Sequence, residues 1–119
     1  MGMFKMNDIR YTVTFGHKTA RGDALPFARV ENARVYALGA LARLLGGANA
    51  TDLRGAWVNS EGTTIVESAT AMRAIFTHGD PDAADRGVES IARAIASMLD
   101  QESVMVEKER VNCAFLSPM

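Results

Sequence analysis

The sequence predicts an α+β fold of the ferredoxin-like kind, a β-α-β-β-α-β chain forming one antiparallel sheet with both helices on a single face. Three observations predict it. Apolar residues alternate with period two at Ile9, Tyr11, Val13 and Phe15, the spacing of a half-buried strand. They recur at three- and four-residue intervals in two later segments, Val30 to Leu45 and Val88 to Leu99, the spacing of one buried helix face. Between those segments lie two strand-like stretches separated by a short polar turn.

The elements follow in order. The first strand spans Ile9 to Phe15 and stops at Gly16, and the polar stretch His17 to Asp23 reads as a loop. Pro26 suits the first turn of a helix, where its missing N–H costs least. Val30, Ala33, Ala37, Leu38, Leu41 and Leu45 then form the buried stripe, and Gly46-Gly47 ends it, because glycine tolerates a left-handed cap. The polar residues 48–54 read as a link before a short strand at Ala56-Trp57-Val58. Asn59-Ser60-Glu61-Gly62 is a hairpin turn. A longer strand follows from Thr63 to Thr77, with Val66, Thr70, Met72, Ala74 and Phe76 on the expected core side. Asp80-Pro81 is an N-cap and first-turn proline for the second helix, whose stripe is Val88, Ile91, Ala92, Ile95, Met98 and Leu99. The last strand lies within Ser103 to Leu116. Its apolar sets, Val104 and Val106, then Val111, Cys113 and Phe115, are out of phase, which predicts a bulge or break in Glu107-Lys108-Glu109-Arg110.

Composition narrows the function classes. The 119 residues are expected to form a single domain, 1–119, since domains run about 100–150 residues. Thirteen basic residues against fourteen acidic ones argue against a nucleic-acid binder, and an aromatic content of 7% is sparse for base-stacking platforms. One cysteine rules out an internal disulfide, and two histidines give no zinc-ligand spacing. No apolar run approaches the roughly 20 residues that cross a bilayer, and Met1 to Met6 lacks a signal-peptide stretch. The expectation is a cytoplasmic protein with no cofactor, no metal, no nucleic-acid or membrane partner and no assigned catalytic residue.

Two surfaces stand out. If the first and third strands run side by side and parallel, their C-terminal ends share one sheet edge with both helix N-termini. That edge then gathers His17, Lys18, Thr19, Arg21 and His78. Cationic side chains with free helix N–H groups form an anion-binding corner suited to a phosphate or carboxylate. Against this stands the ordinary reading, polar loops at strand ends. The second surface is the sheet face away from the helices, carrying Ile65, Glu67, Ala69, Ala71 and Arg73. Such a face needs a cover, and small apolar residues flanked by an acid and a base suit a sheet-to-sheet homo-oligomer, with Glu67 and Arg73 paired across it. Trp57 reads as core, and Cys113 as a buried small hydrophobe without an adjacent base.

Short motifs carry a resemblance. Tyr11-Thr12-Val13-Thr14-Phe15-Gly16, Gly55-Ala56-Trp57, Glu67-Ser68 and Gln101-Glu102-Ser103-Val104 resemble a family of small bacterial and phage proteins, a domain of unknown function with a ferredoxin-like fold, over roughly Tyr11 to Phe115. The loop from His17 to Pro26 departs from it. The resemblance implies the fold and a bacterial or phage setting, and it transfers no catalytic residue. Together these readings predict a non-catalytic oligomeric binding protein, such as a phage accessory protein that sequesters an anionic small molecule or blocks a host protein. The alternative is a small α+β-barrel-type enzyme with His17 or His78 as general acid or base.

Overall fold

Side-chain alternation along the first strand decides how the sheet faces. In the computed structural model, which describes residues 5–119 with side chains from Asp8 onward, Ile9, Tyr11, Val13 and Phe15 all turn inward and are buried. The sequence reading of residues 1–4 falls outside the described residues. Strand β1 (Lys5–Gly16) is followed by helix α1 (Phe27–Leu45), strands β2 (Asn49–Val58) and β3 (Thr64–Phe76), helix α2 (Pro81–Leu99) and strand β4 (Met105–Cys113). The four strands form one antiparallel sheet in the order β2-β3-β1-β4. The ferredoxin-like α+β architecture predicted from the sequence is the one observed.

The core lies between one sheet face and the two helices. Met72 and Ala74 of β3 join the β1 stripe, Val30, Ala33, Ala37 and Leu41 come from α1, and Val88, Ile91, Ile95 and Leu99 come from α2. Each large aliphatic or aromatic side chain withdrawn from water here contributes about 1.5–3 kcal/mol. Helix ends are closed as their sequences suggest. Asp80 accepts a bond from the Asp82 backbone N–H at 3.0 Å, and Gly46, at φ 99°, turns its own N–H onto Ala42 O at 2.8 Å.

Three expectations are corrected. First, β1 and β3 are antiparallel, Ile9 facing Phe76 and Gly16 facing Ala69. A helix crossover makes β2 parallel to β1, and the hairpin then reverses the chain, so β3 must oppose β1. Second, the polar stretch expected to be a link is strand. β2 starts at Asn49 and pairs with β3 from Asn49↔Arg73 to Val58↔Thr64. As an edge strand it needs no continuous apolar stripe, which is why its polar residues concealed it. Third, β4 is unbroken through Glu107–Arg110, pairing from Thr14↔Met105 to Ile9↔Arg110. The register shift lies between Lys5 and Asp8 of β1. Val106 lies on the helix side, and Val111 and Cys113 on the far side, so the out-of-phase sets occupy two faces rather than one broken face.

Candidate functional site

The end of β1 and the start of α1 are joined by a loop that folds back over the far face of the sheet. Leu25 N donates to His17 O at 3.0 Å, Thr19 N to Asp23 O at 2.8 Å and Gly22 N to Thr19 O at 2.9 Å, which close the loop on itself. Ser68 O accepts from His17 N at 2.9 Å and Asp100 O from Ala20 N at 3.1 Å, and two side chains donate to the loop's carbonyls. The Gln101 side chain, directly after α2, donates to Gly16 O at 2.6 Å and Lys18 O at 2.9 Å. Asn59, at the hairpin, donates to Ala20 O at 3.1 Å. Asp100, at φ 52°, is the left-handed residue that turns the chain out of α2 and presents Gln101.

Under this loop lies a cleft of about 400 Å³, within the range of small-molecule sites. Glu67 of β3 and Trp57 of β2 line it, with Ile65, Met105 and Glu102 around them. Glu67 is 6% exposed. Its Oε2 accepts from Lys18 N at 2.7 Å, and burial pushes its pKa above the usual carboxylate value. The Lys18 N–H and ammonium, and the Trp57 and His17 N–H groups, pull against that rise without cancelling it. The Trp57 Nε1 faces the same carboxyl yet falls short of hydrogen-bonding geometry. It is a buried donor with no partner among the described residues. Glu102 is fixed at the rim, accepting from Ser60 N at 3.1 Å and Ser60 Oγ at 2.8 Å, which lowers its pKa.

The predicted anion corner is not assembled as one site. Lys18 and Thr19 line the cleft, but the Lys18 ammonium is spent on Val66 O at 2.7 Å. Arg21 is exposed on the same loop. His17 turns to the helix side of the sheet, where Nε2 contacts Thr70 Oγ1 at 2.8 Å beside Arg34 and Asp52. Burial, then the Arg34 guanidinium, lowers its pKa, and Asp52 opposes them. His78 follows the end of β3, which the antiparallel register places beside the start of β1, roughly 23 Å along the strand from Gly16 at ~3.3 Å per residue. Neither histidine lines the Glu67 cleft.

The five residues expected to form a bare interface divide in the same way. Ile65, Glu67, Ala69 and Ala71 are already buried within one chain, and only Arg73 is exposed. The folded-back loop supplies part of that cover, the Gly22 backbone lying over Ile65. Trp57, read as core, and Gln101, read as a helix end, are the residues whose part in the cleft the sequence concealed. The pairing of Trp57 with Ile65 and of Gly55 with Glu67 brings the indole to the carboxyl, and the bonds to Gly16 O and Lys18 O bring Gln101 to the cleft.

No protein-family model matches the chain, and no curated protein matches it. Solved structures do. A phage SAM lyase in complex with S-methyl-5'-thioadenosine is 15% identical, covers 97% of this chain and 95% of its own, and superposes with a TM-score of 0.74. CutA from Synechococcus elongatus is 9% identical over 93% of this chain and 83% of its own, TM-score 0.53. The periplasmic divalent cation tolerance protein CutA from Archaeoglobus fulgidus is 10% identical over 87% and 83%, TM-score 0.53. At these identities the likeness is one of fold. Among the described residues no helix is long and apolar enough to cross a membrane.

Proposed function

We propose that this protein binds an S-adenosylmethionine-type sulfonium nucleoside in the Glu67–Trp57 cleft and cleaves it to S-methyl-5'-thioadenosine. The observation that supports it is the buried Glu67 carboxyl facing an indole in a cleft of small-molecule size. A buried carboxyl stays costly until a cation joins it, and the Trp57 indole beside it gives the rest of the ligand an apolar wall. This favours a cationic ligand where the sequence suggested an anionic one. The nearly full-length likeness to a phage SAM lyase supports the choice of sulfonium.

The reaction needs no external oxidant, reductant or water. The bond from sulfur to Cγ of the aminobutyrate breaks with both electrons passing to sulfur, which becomes a neutral thioether. The substrate's own carboxylate oxygen closes on Cγ, giving a lactone. Glu67 would hold the cationic substrate in the folded geometry that brings its carboxylate to Cγ. We further propose that the chain works as a homo-oligomer. Leu53 and Met105, exposed at the borders of the far face, supply the apolar contact once Ile65, Ala69 and Ala71 are covered internally.

The test is direct. The chain has one tryptophan, so S-adenosylmethionine should quench Trp57 fluorescence, and chromatography should show S-methyl-5'-thioadenosine accumulating. Glu67→Gln should bind weakly and not turn over. Quenching without product would leave a sequestering protein in place of a lyase. Neither quenching nor product would remove the reading altogether. Native mass spectrometry of the same sample reads the assembly.

A further inference from the structure

A second and larger cleft, about 780 Å³, lies at the opposite end of the sheet and takes no part in the proposed lyase site. The start of β1, the end of β3 and the residues after β4 form it, with the turn that closes α1. At its base is Asp8, 2% exposed. Oδ2 of Asp8 accepts from the Cys113 thiol at 3.0 Å, a weak donor for a buried carboxyl group. Oδ1 accepts from no donor among the described residues, and the carboxyl group lines the cleft.

Two groups of opposite charge share the cleft with it. Arg10 follows Asp8 on the same face of β1, roughly 7 Å further along at ~3.3 Å per residue. Its guanidinium bonds Glu109 Oε1 at 3.0 and 2.5 Å. Arg73, facing Thr12 on the neighbouring strand, makes no ion pair among the described residues. The remaining wall is mixed, with Leu45, Ile75 and Phe115 as its large apolar side chains and Asn49, Thr77 and His78 as its polar ones. A carboxyl group lining the cavity, an unengaged guanidinium and large apolar side chains in the wall are three separate requirements on a ligand.

We propose that this cleft binds a free α-amino acid with an apolar side chain. The ammonium group donates to Asp8 Oδ1 where the carboxyl group lines the cleft. The carboxylate meets the Arg73 guanidinium, whose planar fork suits a carboxylate bidentately, with Arg10 alongside. The side chain lies against Leu45, Ile75 and Phe115. This site is independent of the reading of the Glu67 cleft, since the two share no residue.

The experiment titrates the full chain with L-leucine and follows backbone amide shifts at residues 8–10, 46–49 and 73–78. Two analogues accompany it, 4-methylpentanoate, which lacks the amine, and 3-methylbutylamine, which lacks the carboxylate. Saturable shifts with leucine are expected, with each analogue at least tenfold weaker. Arg73→Gln, at an exposed position, should weaken leucine and 4-methylpentanoate and leave the amine unchanged. Asp8→Asn should weaken leucine and the amine only; if that variant does not fold, the two analogues decide the point. Glu67→Gln should bind leucine as the parent does, which separates this site from the first. The proposal is overturned if L-leucine, L-methionine and L-phenylalanine all fail to shift these amides into the millimolar range, or if the two analogues match leucine.

Discussion

The carboxyl group of Glu67 fills the space that a side chain at Gly16 would occupy. A methyl group built on Gly16 overlaps Cδ and both carboxyl oxygens. Gly16 ends β1 opposite Ala69, two residues from Glu67 on the same face, so the strand end is shaped to let the carboxyl lie flat across it. Gly16→Ala must therefore drive Glu67 off the Lys18 N–H. A loss of about 1–3 kcal/mol is expected from overpacking, read by urea denaturation, together with loss of ligand quenching at Trp57. An alanine variant that keeps both stability and quenching would show that Glu67 moves aside freely.

Glu67 also sets a pH dependence. Burial holds its pKa above the ordinary value of 4.5, so the folded chain keeps a proton that the unfolded chain has lost. The stability tied to that proton is complete below the unfolded pKa and is lost as pH rises through the folded one. Glu67→Gln has no such proton to lose. The stability of the variant relative to the parent should rise from pH 4.5 upward and level off above the folded pKa. Chemical denaturation at several pH values reads this difference, and parallel profiles would mean that the carboxyl is not shifted.

On the helix side, Tyr11 and Asp85 predict an asymmetry. Tyr11 is buried and donates its phenol to Asp85 Oδ1, and Asp85 also accepts from Lys108 Nζ at 3.0 Å. Burial first, and Asp85 second, raise the Tyr11 pKa. Tyr11→Phe removes the donor and leaves Asp85 partly exposed and still paired with Lys108. Asp85→Ala leaves a buried phenol with no acceptor. The first should cost about 1 kcal/mol and the second about 1–3 kcal/mol. Equal losses in thermal unfolding would contradict the assignment.

Gln101 tests the loop that roofs the Glu67 cleft. Its amide bonds two carbonyls, Gly16 O and Lys18 O, and needs both N–H groups to do so. Gln101→Ala should release residues 17–20 while leaving the core intact, so amide exchange there should quicken with little change in global stability. Gln101→Glu, which sets a carboxylate against the carbonyls, should be worse than alanine. If alanine leaves exchange in that loop unaltered, Asn59, the bonds to Ser68 O, Glu67 and Asp100 O, and the loop's own bonds are sufficient.

Much of the fold was legible because alternation and helical periodicity record burial, and burial is what the core requires. Val30, Ala33, Ala37 and Leu41 announced one helix face, and Val88, Ile91, Ile95 and Leu99 the other. β2 was hidden because an edge strand satisfies its backbone on one side and leaves its side chains to water. Glu67 was seen on the correct face but read as a contact between copies, because nothing local shows that the loop after Gly16 folds back over it. Strand direction placed His17 and His78 at opposite ends. A histidine's place in the sequence gives its strand end, whereas its neighbours across the sheet depend on the turns that intervene. Asp8 lay outside the predicted strand, and its burial arises from pairing with a C-terminal segment 105 residues away.

The unbroken pairing of β1 with both neighbours constrains how this sequence can diverge. From Ile9 to Thr14 every residue is matched on either side, with hydrophobic packing on one face and the cleft residues Thr14 and Gly16 continuing the other. Inserting or deleting one residue there would exchange the two faces, expelling Val13 and Phe15 and turning the cleft lining toward the helices. Descendants of this chain can therefore change amino acids across that stretch but not its length, and gaps between relatives should collect instead at the Asn59–Thr63 turn.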